Sequence, residues 1–215
     1  MPGPKPERLP RLLIATNNPG KVRELRRLLD GCGFELVTPN EAGLTLEVEE
    51  TGMTYEENAV LKARAFADAS GILALADDSG IEVDALDGAP GLFSARFGGP
   101  GLDDEARTAL LLKRLRGVPA PRRTARYRAV VALVAPGSSA ASRAAPAAAP
   151  RVFEGVQEGS IADAPRGTGG FGYDPVFLVD GNRTQAELGA AEKDAISHRG
   201  RAVRAARSYL ESLGA

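Results

Sequence analysis

The chain has little of what zinc-structured, disulfide-bonded or membrane-spanning proteins depend on. One cysteine, Cys32, and one histidine, His198, cannot assemble a structural zinc site of the Cys/His type, and a lone cysteine forms no disulfide within the chain. That scarcity fits a reducing compartment. The longest uninterrupted apolar stretch, 129–135, is far short of the roughly 20 residues a bilayer-spanning helix needs. The N-terminal MPGPKPERLP has no apolar core of a signal peptide, so a cytoplasmic protein without a membrane partner is expected. Net charge is nearly absent too: 27 basic against 28 acidic residues give −1. Nothing global therefore draws the chain to nucleic acid, and any polyanion must be bound locally.

What is present describes an ordinary globular chain. Its 215 residues are 43% hydrophobic and 26% charged, enough for a full core. Residues 1–10 carry four prolines and read as a disordered tail, leaving 11–215 as a single domain. The Ala/Pro/Ser-rich segment 135–150 buries little and reads as a flexible insertion in a hairpin-like connection, without a catalytic role.

The apolar run from Leu12 to Ala15 precedes a polar turn and then a helical pattern carrying Val22, Leu25, Leu28 and Leu29, which is strand, loop, helix. Residues 34–38 look like a second strand. Thr54 and Glu57 have capping-box spacing and open a helix on which Asn58 and Lys62 share a face. The segment 72–76 reads as a short strand that stops at Asp77-Asp78-Ser79-Gly80, so these acids are expected at a strand end. Asp103 and Asp104 cap a further helix. Segments 127–134, 152–156 and 175–179 read as strands, and a C-terminal helix carries Val203, Ala206, Leu210 and Leu213. Strands alternating with helices predict an α/β fold with a mixed sheet.

Several constellations could carry chemistry. Thr16, Asn17, Asn18, Pro19, Gly20 and Lys21 leave a strand and enter a helix, where backbone N–H groups, the positive helix end and a lysine suit a phosphate. The loop is not a Walker A motif: Ala15 stands where its first glycine belongs, and Val22 where the Ser/Thr belongs. Glu49-Glu50 and Asp77-Asp78 are paired hard carboxylates of the kind that bind Mg²⁺ together with water and substrate phosphates. A carboxylate there could also deprotonate a water. In the glycine-dense segment 167–175, Phe171 could stack on a flat ligand or plug a core edge. Lys193 and Arg199 could add donors to a nucleotide, whereas His198 alone reads as a structural histidine rather than a catalyst.

Taken together, TNNPGKVRE (16–24), EETGMTYEENAVLK (49–62), ADDSG (76–80), GAPGLFSA (88–95), TGGFGYDP (168–175) and EKDAISHR (192–199) resemble the inosine/xanthosine triphosphate pyrophosphatase family, enzymes acting on noncanonical purine nucleotides. The resemblance runs from about Arg11 to the C-terminus. It implies a long mixed central sheet flanked by helices, two lobes with a nucleotide cleft between them, and a homodimer. It also implies Mg²⁺-dependent hydrolysis of a purine nucleoside triphosphate (ITP, dITP, XTP) to the monophosphate and pyrophosphate. On these residues, 16–21 would hold the triphosphate, Lys62 and Lys193 would contact substrate, and Glu50 and Asp78 would bind the metal. Asp78 would be the general base and Ser79 a substrate contact, while Phe171, Gly172, Tyr173, Asp174, His198 and Arg199 would form the base pocket. Arg199 can only donate hydrogen bonds, which would favour a 6-oxo purine over adenine. A nucleotide-binding module without turnover and a pyrophosphatase for other modified nucleotides are the alternatives, and the water-activating acid speaks against the first.

Overall fold

The computed structural model describes residues 9–137 and 149–213. Most of the expected tail and of the 135–150 insertion lies outside these residues. The strands are β1 (Arg11–Ile14), β2 (Glu35–Val37), β3 (Leu73–Val83), β4 (Thr124–Val134), β5 (Arg151–Ile161) and β6 (Phe177–Leu178), joined in one sheet of order β2-β1-β3-β4-β5-β6. β1 is parallel to both β2 and β3, and the remaining pairs are antiparallel, so the predicted mixed α/β sheet is borne out. Five helices accompany it among the described residues: α1 (Pro19–Leu28), α2 (Tyr55–Ser70), α3 (Asp104–Arg114), α4 (Ala190–Ile196) and α5 (His198–Leu213).

Local chemistry accounts for the helix ends. Asn18 caps α1 through Lys21 N, with Pro19 at the first helical position, where its missing N–H costs nothing. Thr54 caps α2 through Glu57 N, but Glu57 reaches Met53 N rather than completing the box on Thr54. Gly71, in the left-handed region, ends that helix. Asp103 caps α3 as anticipated.

The main correction concerns β3. The acids do not end a strand: Asp77 and Asp78 lie in the middle of eleven continuous residues, paired with Val131 and Val130 of β4. Ile81, Glu82 and Val83 continue the same element, and a 3₁₀ turn follows at Asp84–Leu86. Strand alternation then sends neighbouring acids to opposite faces of the sheet. Leu75 and Val131 pack with α1 and α5, while Ala74, Ala76 and Val130 pack with α2. Asp77 accordingly faces α1 and α5, and Asp78 faces α2. β4 and β5 are also longer than expected, and the segment read as a strand over 175–179 forms ladder pairs only at Phe177 and Leu178.

Beyond the acids, β3 to β5 carry the sheet into a third core, where Ile81, Val83, Leu111, Tyr127, Tyr173 and Phe177 pack together. The acids thus sit where the three cores meet. α5 is pressed onto β5 at Gly155, where an added Cβ would lie 2.1 Å from the carbonyl oxygen of His198 and 2.7 Å from the amide nitrogen of Ala202. A Gly155→Ala substitution must push backbone apart and is expected to cost about 1–3 kcal/mol, read as a lower urea midpoint at unchanged slope.

Candidate active site

A cavity at this junction is lined by residues from every predicted block, among them Lys21, Glu50, Asp78, Phe171, Lys193 and Arg199. Thr16, Asn17 and Lys62 line an adjoining pocket that shares Asn18, Lys21 and Glu50 with it, and Lys21, Lys62, Lys193 and Arg199 are each held by acids. On the α2 face, Lys62 Nζ lies 2.7 Å from Glu50 Oε1 and 2.8 Å from Asp78 Oδ1. Asn58 ties the same corner together: its Oδ1 accepts from Gly52 N at 2.8 Å, and its Nδ2 donates to Asp78 Oδ2 at 3.4 Å. The shared face of Asn58 and Lys62 read from their spacing therefore points at Asp78.

The opposite face holds a longer chain of ion pairs. Lys21 Nζ is 2.7 Å from Asp77 Oδ1, and Arg199 Nε is 2.9 Å from Asp77 Oδ2. Arg199 also donates from Nη1 to Glu24 at 2.6 Å and from Nη2 to Ser79 Oγ at 2.8 Å. Glu24 takes Lys193 Nζ at 2.6 Å on its other oxygen, and Lys193 pairs further with Asp174. Asp174 in turn accepts from Phe171 N, Gln185 Nε2 and Tyr127 OH.

Burial sets the electrostatics. It pushes the Asp78 carboxyl above its ordinary range, with Lys62 and Lys21 opposing only in part. Glu50 also feels burial, but contact with Lys62 outweighs it and holds the carboxyl down at about 2. Burial lowers Lys21 despite Asp77, and pulls His198 well below its usual value with help from Arg199. His198 is therefore a neutral imidazole, stacked on Tyr127 at 4.5 Å.

The phosphate-loop residues are largely committed to the loop itself. Asn18 caps α1, Asn17 Nδ2 donates to Leu46 O, and Thr16 Oγ1 accepts from Asn18 N. Among the described residues, the amides of Asn17 and Gly20 keep no protein acceptor and, with Lys21, remain for a phosphate. Phe171 lies against Gly20, where an added Cβ would be 2.6 Å from its ring, and both Lys193 and Arg199 sit over that ring. The aromatic thus joins the two loops rather than plugging a core. Gly172 is latched by Asp104 at 2.7 Å, and Tyr173 donates its hydroxyl to Ser94 O at 2.8 Å.

Sequence reasoning missed Glu24 and Arg107, and read Asp77 as a metal-binding acid beside Asp78 rather than as the partner of Lys21 and Arg199. Glu24 and Asp77 organise the cations, and Asp104 and Arg107 also line the cavity. Glu24 had a signal, being an acid beside Leu25 and Leu28 on the buried face of α1.

Five cations (Lys21, Lys62, Arg96, Lys193, Arg199) stand against five carboxylates (Glu24, Glu50, Asp77, Asp78, Asp174) in these two networks. The cavity therefore has no net positive charge to offer a polyanion. Glu50 and Asp78, hard oxygens drawn together about one ammonium, are a donor set that fits Mg²⁺, which usually takes one or two carboxylates and completes its shell with water and phosphate.

Fold and site together define a class: an α/β protein whose charged cleft sets a lysine-bearing strand–loop–helix turn against a pair of carboxylates. Within that class the chain belongs to the Ham1 family, whose model matches residues 12–209. It is 51% identical over 203 residues to a dITP/XTP pyrophosphatase of Symbiobacterium thermophilum, covering 94% of this chain and 96% of that one. Its fold is similar to that of a HAM1 protein from Coxiella burnetii (TM-score 0.81, 38% identity, 95% of this chain and 100% of that one). The Ham1 protein of Staphylococcus aureus is also similar, with a TM-score of 0.79 and 37% identity over 94% of this chain and 99% of that one. The family resemblance carried by the motif blocks is borne out.

Proposed function

We propose that the chain hydrolyses the purine nucleoside triphosphates ITP, dITP and XTP to the monophosphate and pyrophosphate, removing them from the nucleotide pool before they enter DNA or RNA. The observation that carries this reading is the placement of Asp78: a buried carboxylate, raised above its ordinary range, beside Glu50 and Lys62 in the cavity that begins at the phosphate loop. It is supported by the dITP/XTP pyrophosphatase name of relatives as similar as 51%.

The step follows from the residues. Lys21 and the amides of Asn17 and Gly20 hold the phosphates, with Lys62 beside them. Asp78 takes a proton from water as the water oxygen bonds to the α-phosphorus; the bond to the oxygen bridging to the β-phosphate breaks, and pyrophosphate leaves. Glu50 and Asp78 would hold Mg²⁺, which supplies the positive charge that the balanced cavity lacks. At the other end, Phe171 offers a stacking face, and Gly172, Tyr173, Asp174, His198 and Arg199 shape the space for the base. Arg199 has three nitrogens committed to Asp77, Glu24 and Ser79, so its N–H groups left over, together with His198, are the donors for a 6-oxo group. The resemblance further supports a homodimer acting in the cytoplasm; no helix among the described residues is long and apolar enough to cross a membrane. Chelation tests the metal: turnover of ITP is expected to vanish with EDTA and return with Mg²⁺, and full turnover in chelator would reject that part of the reading.

A further inference from the structure

Behind the cavity, on the α5 side of the sheet, buried polar atoms lack protein partners. Both amide atoms of Gln157 and the Nδ1 of His198 are buried without a hydrogen bond among the described residues. The two residues are 3% exposed each. Such groups lose water on folding and cost free energy unless something replaces it.

The fold brings them together. Gln157 of β5 is the direct cross-strand partner of Tyr127 of β4, so their side chains stand side by side on one face. Tyr127 is stacked on the His198 imidazole with ring planes only 10° apart. Two residues before Gln157 on the same face, Gly155 touches the His198 backbone. Gln157 and His198 therefore flank the same Tyr127 ring without a direct hydrogen bond between them, and a small bridging group able both to donate and to accept would satisfy both. Water meets that description.

The imidazole has two nitrogens with separate surroundings. Nδ1 is sealed behind the cavity, whereas Nε2 is not among the buried unpartnered atoms and the residue lines the cavity. Stacking on Tyr127, itself tethered through its hydroxyl to Asp174, fixes the plane of the ring. Stacking does not decide which nitrogen carries the proton. In a neutral histidine, the partner of one nitrogen decides what the other presents.

We propose that Gln157, through a buried water shared with His198 Nδ1, is a positioning residue that fixes the His198 tautomer and so decides whether Nε2 meets the nucleobase as donor or acceptor. The nucleobase as occupant rests on the proposed function; the tautomer does not. Because His198 is the chain's one histidine, long-range ¹H–¹⁵N spectra of tag-free protein report on it without ambiguity.

The wild type is expected to show a single tautomer. Gln157→Leu and the more pliable Gln157→Met are both expected to give a mixture or the opposite tautomer. The KM for ITP should rise about three- to tenfold, the equivalent of one hydrogen bond, with kcat within about twofold. A Gln157 that is merely a buried amide would leave the tautomer untouched in both variants, and that result overturns the proposal whatever the kinetics. A high-resolution crystal structure of the unaltered protein is the second measurement: a water within hydrogen-bond distance of both Gln157 and Nδ1 supports the bridge, and a dry contact there refutes it. If ITP is not a substrate while the tautomer responds to Gln157, the functional reading fails and the positioning role stands.

Discussion

An Asp78→Asn variant is expected to fold normally and to lose about 10²–10⁴-fold in turnover of ITP, the range a positioned general base contributes. The substitution keeps size and shape. An amide oxygen can still accept from Lys62, which retains Glu50 at 2.7 Å, so no buried charge is stranded. What disappears is the ability to take a proton from water, along with one of the two carboxylates proposed to hold the metal. Burial raises Asp78, which makes it a better proton acceptor than an exposed aspartate. Steady-state kinetics beside a thermal melt separate chemistry from folding. Near-normal turnover in a folded Asp78→Asn protein would remove Asp78 from the mechanism.

Replacing Arg199 by Met should instead damage the fold. The residue is 2% exposed, and its guanidinium bridges Asp77 on β3 to Glu24 on α1. Removing one partner from such a network leaves carboxylates buried and under-compensated, which typically costs about 3–5 kcal/mol. Lys21 and Lys193 remain on Asp77 and Glu24, so the lower end of that range is expected in urea unfolding. Arg199→Lys should recover little, since one ammonium cannot reach Asp77, Glu24 and Ser79 as a planar fork does.

The pH dependence carries a sign. Burial alone would raise Glu24, but Arg199 and Lys193 hold it below its ordinary value. A carboxyl lowered in the folded state contributes stability at pH values above its unfolded pKa, and the contribution is lost as pH falls through the folded pKa. Wild-type stability should therefore drop on acidification below the usual carboxylate range, and the drop should be shallower in Arg199→Met. A loss below about 1 kcal/mol with an unchanged acid limb would show that the bridge contributes little.

Local signals made much of this legible beforehand. The strand–loop–helix at the start, the Thr54 and Asp103 caps and the mixed α/β class follow from periodicity and capping, which act within a few residues. The run Asp77-Asp78-Ser79-Gly80 misled, because its composition is that of a turn. β4 nonetheless pairs with β3 from Ala74 to Val83, and the acids are satisfied by Lys21, Lys62 and Arg199, far away in the chain. Partnership at a separation of 175 residues, as between Glu24 and Arg199, leaves no periodic trace. The motif blocks named the residues around the cavity, while the pairing that commits Asn18 to a helix cap, Tyr173 to Ser94 and Arg199 to two acids appeared only in three dimensions.

The central claim is tested most directly by identifying the products that purified protein forms from ITP, XTP, dITP, ATP and GTP in the presence of Mg²⁺. Monophosphate and pyrophosphate from ITP, XTP and dITP, with ATP and GTP nearly inert, is the expected result. Release of diphosphate and inorganic phosphate, or binding of ITP without any turnover, would contradict it.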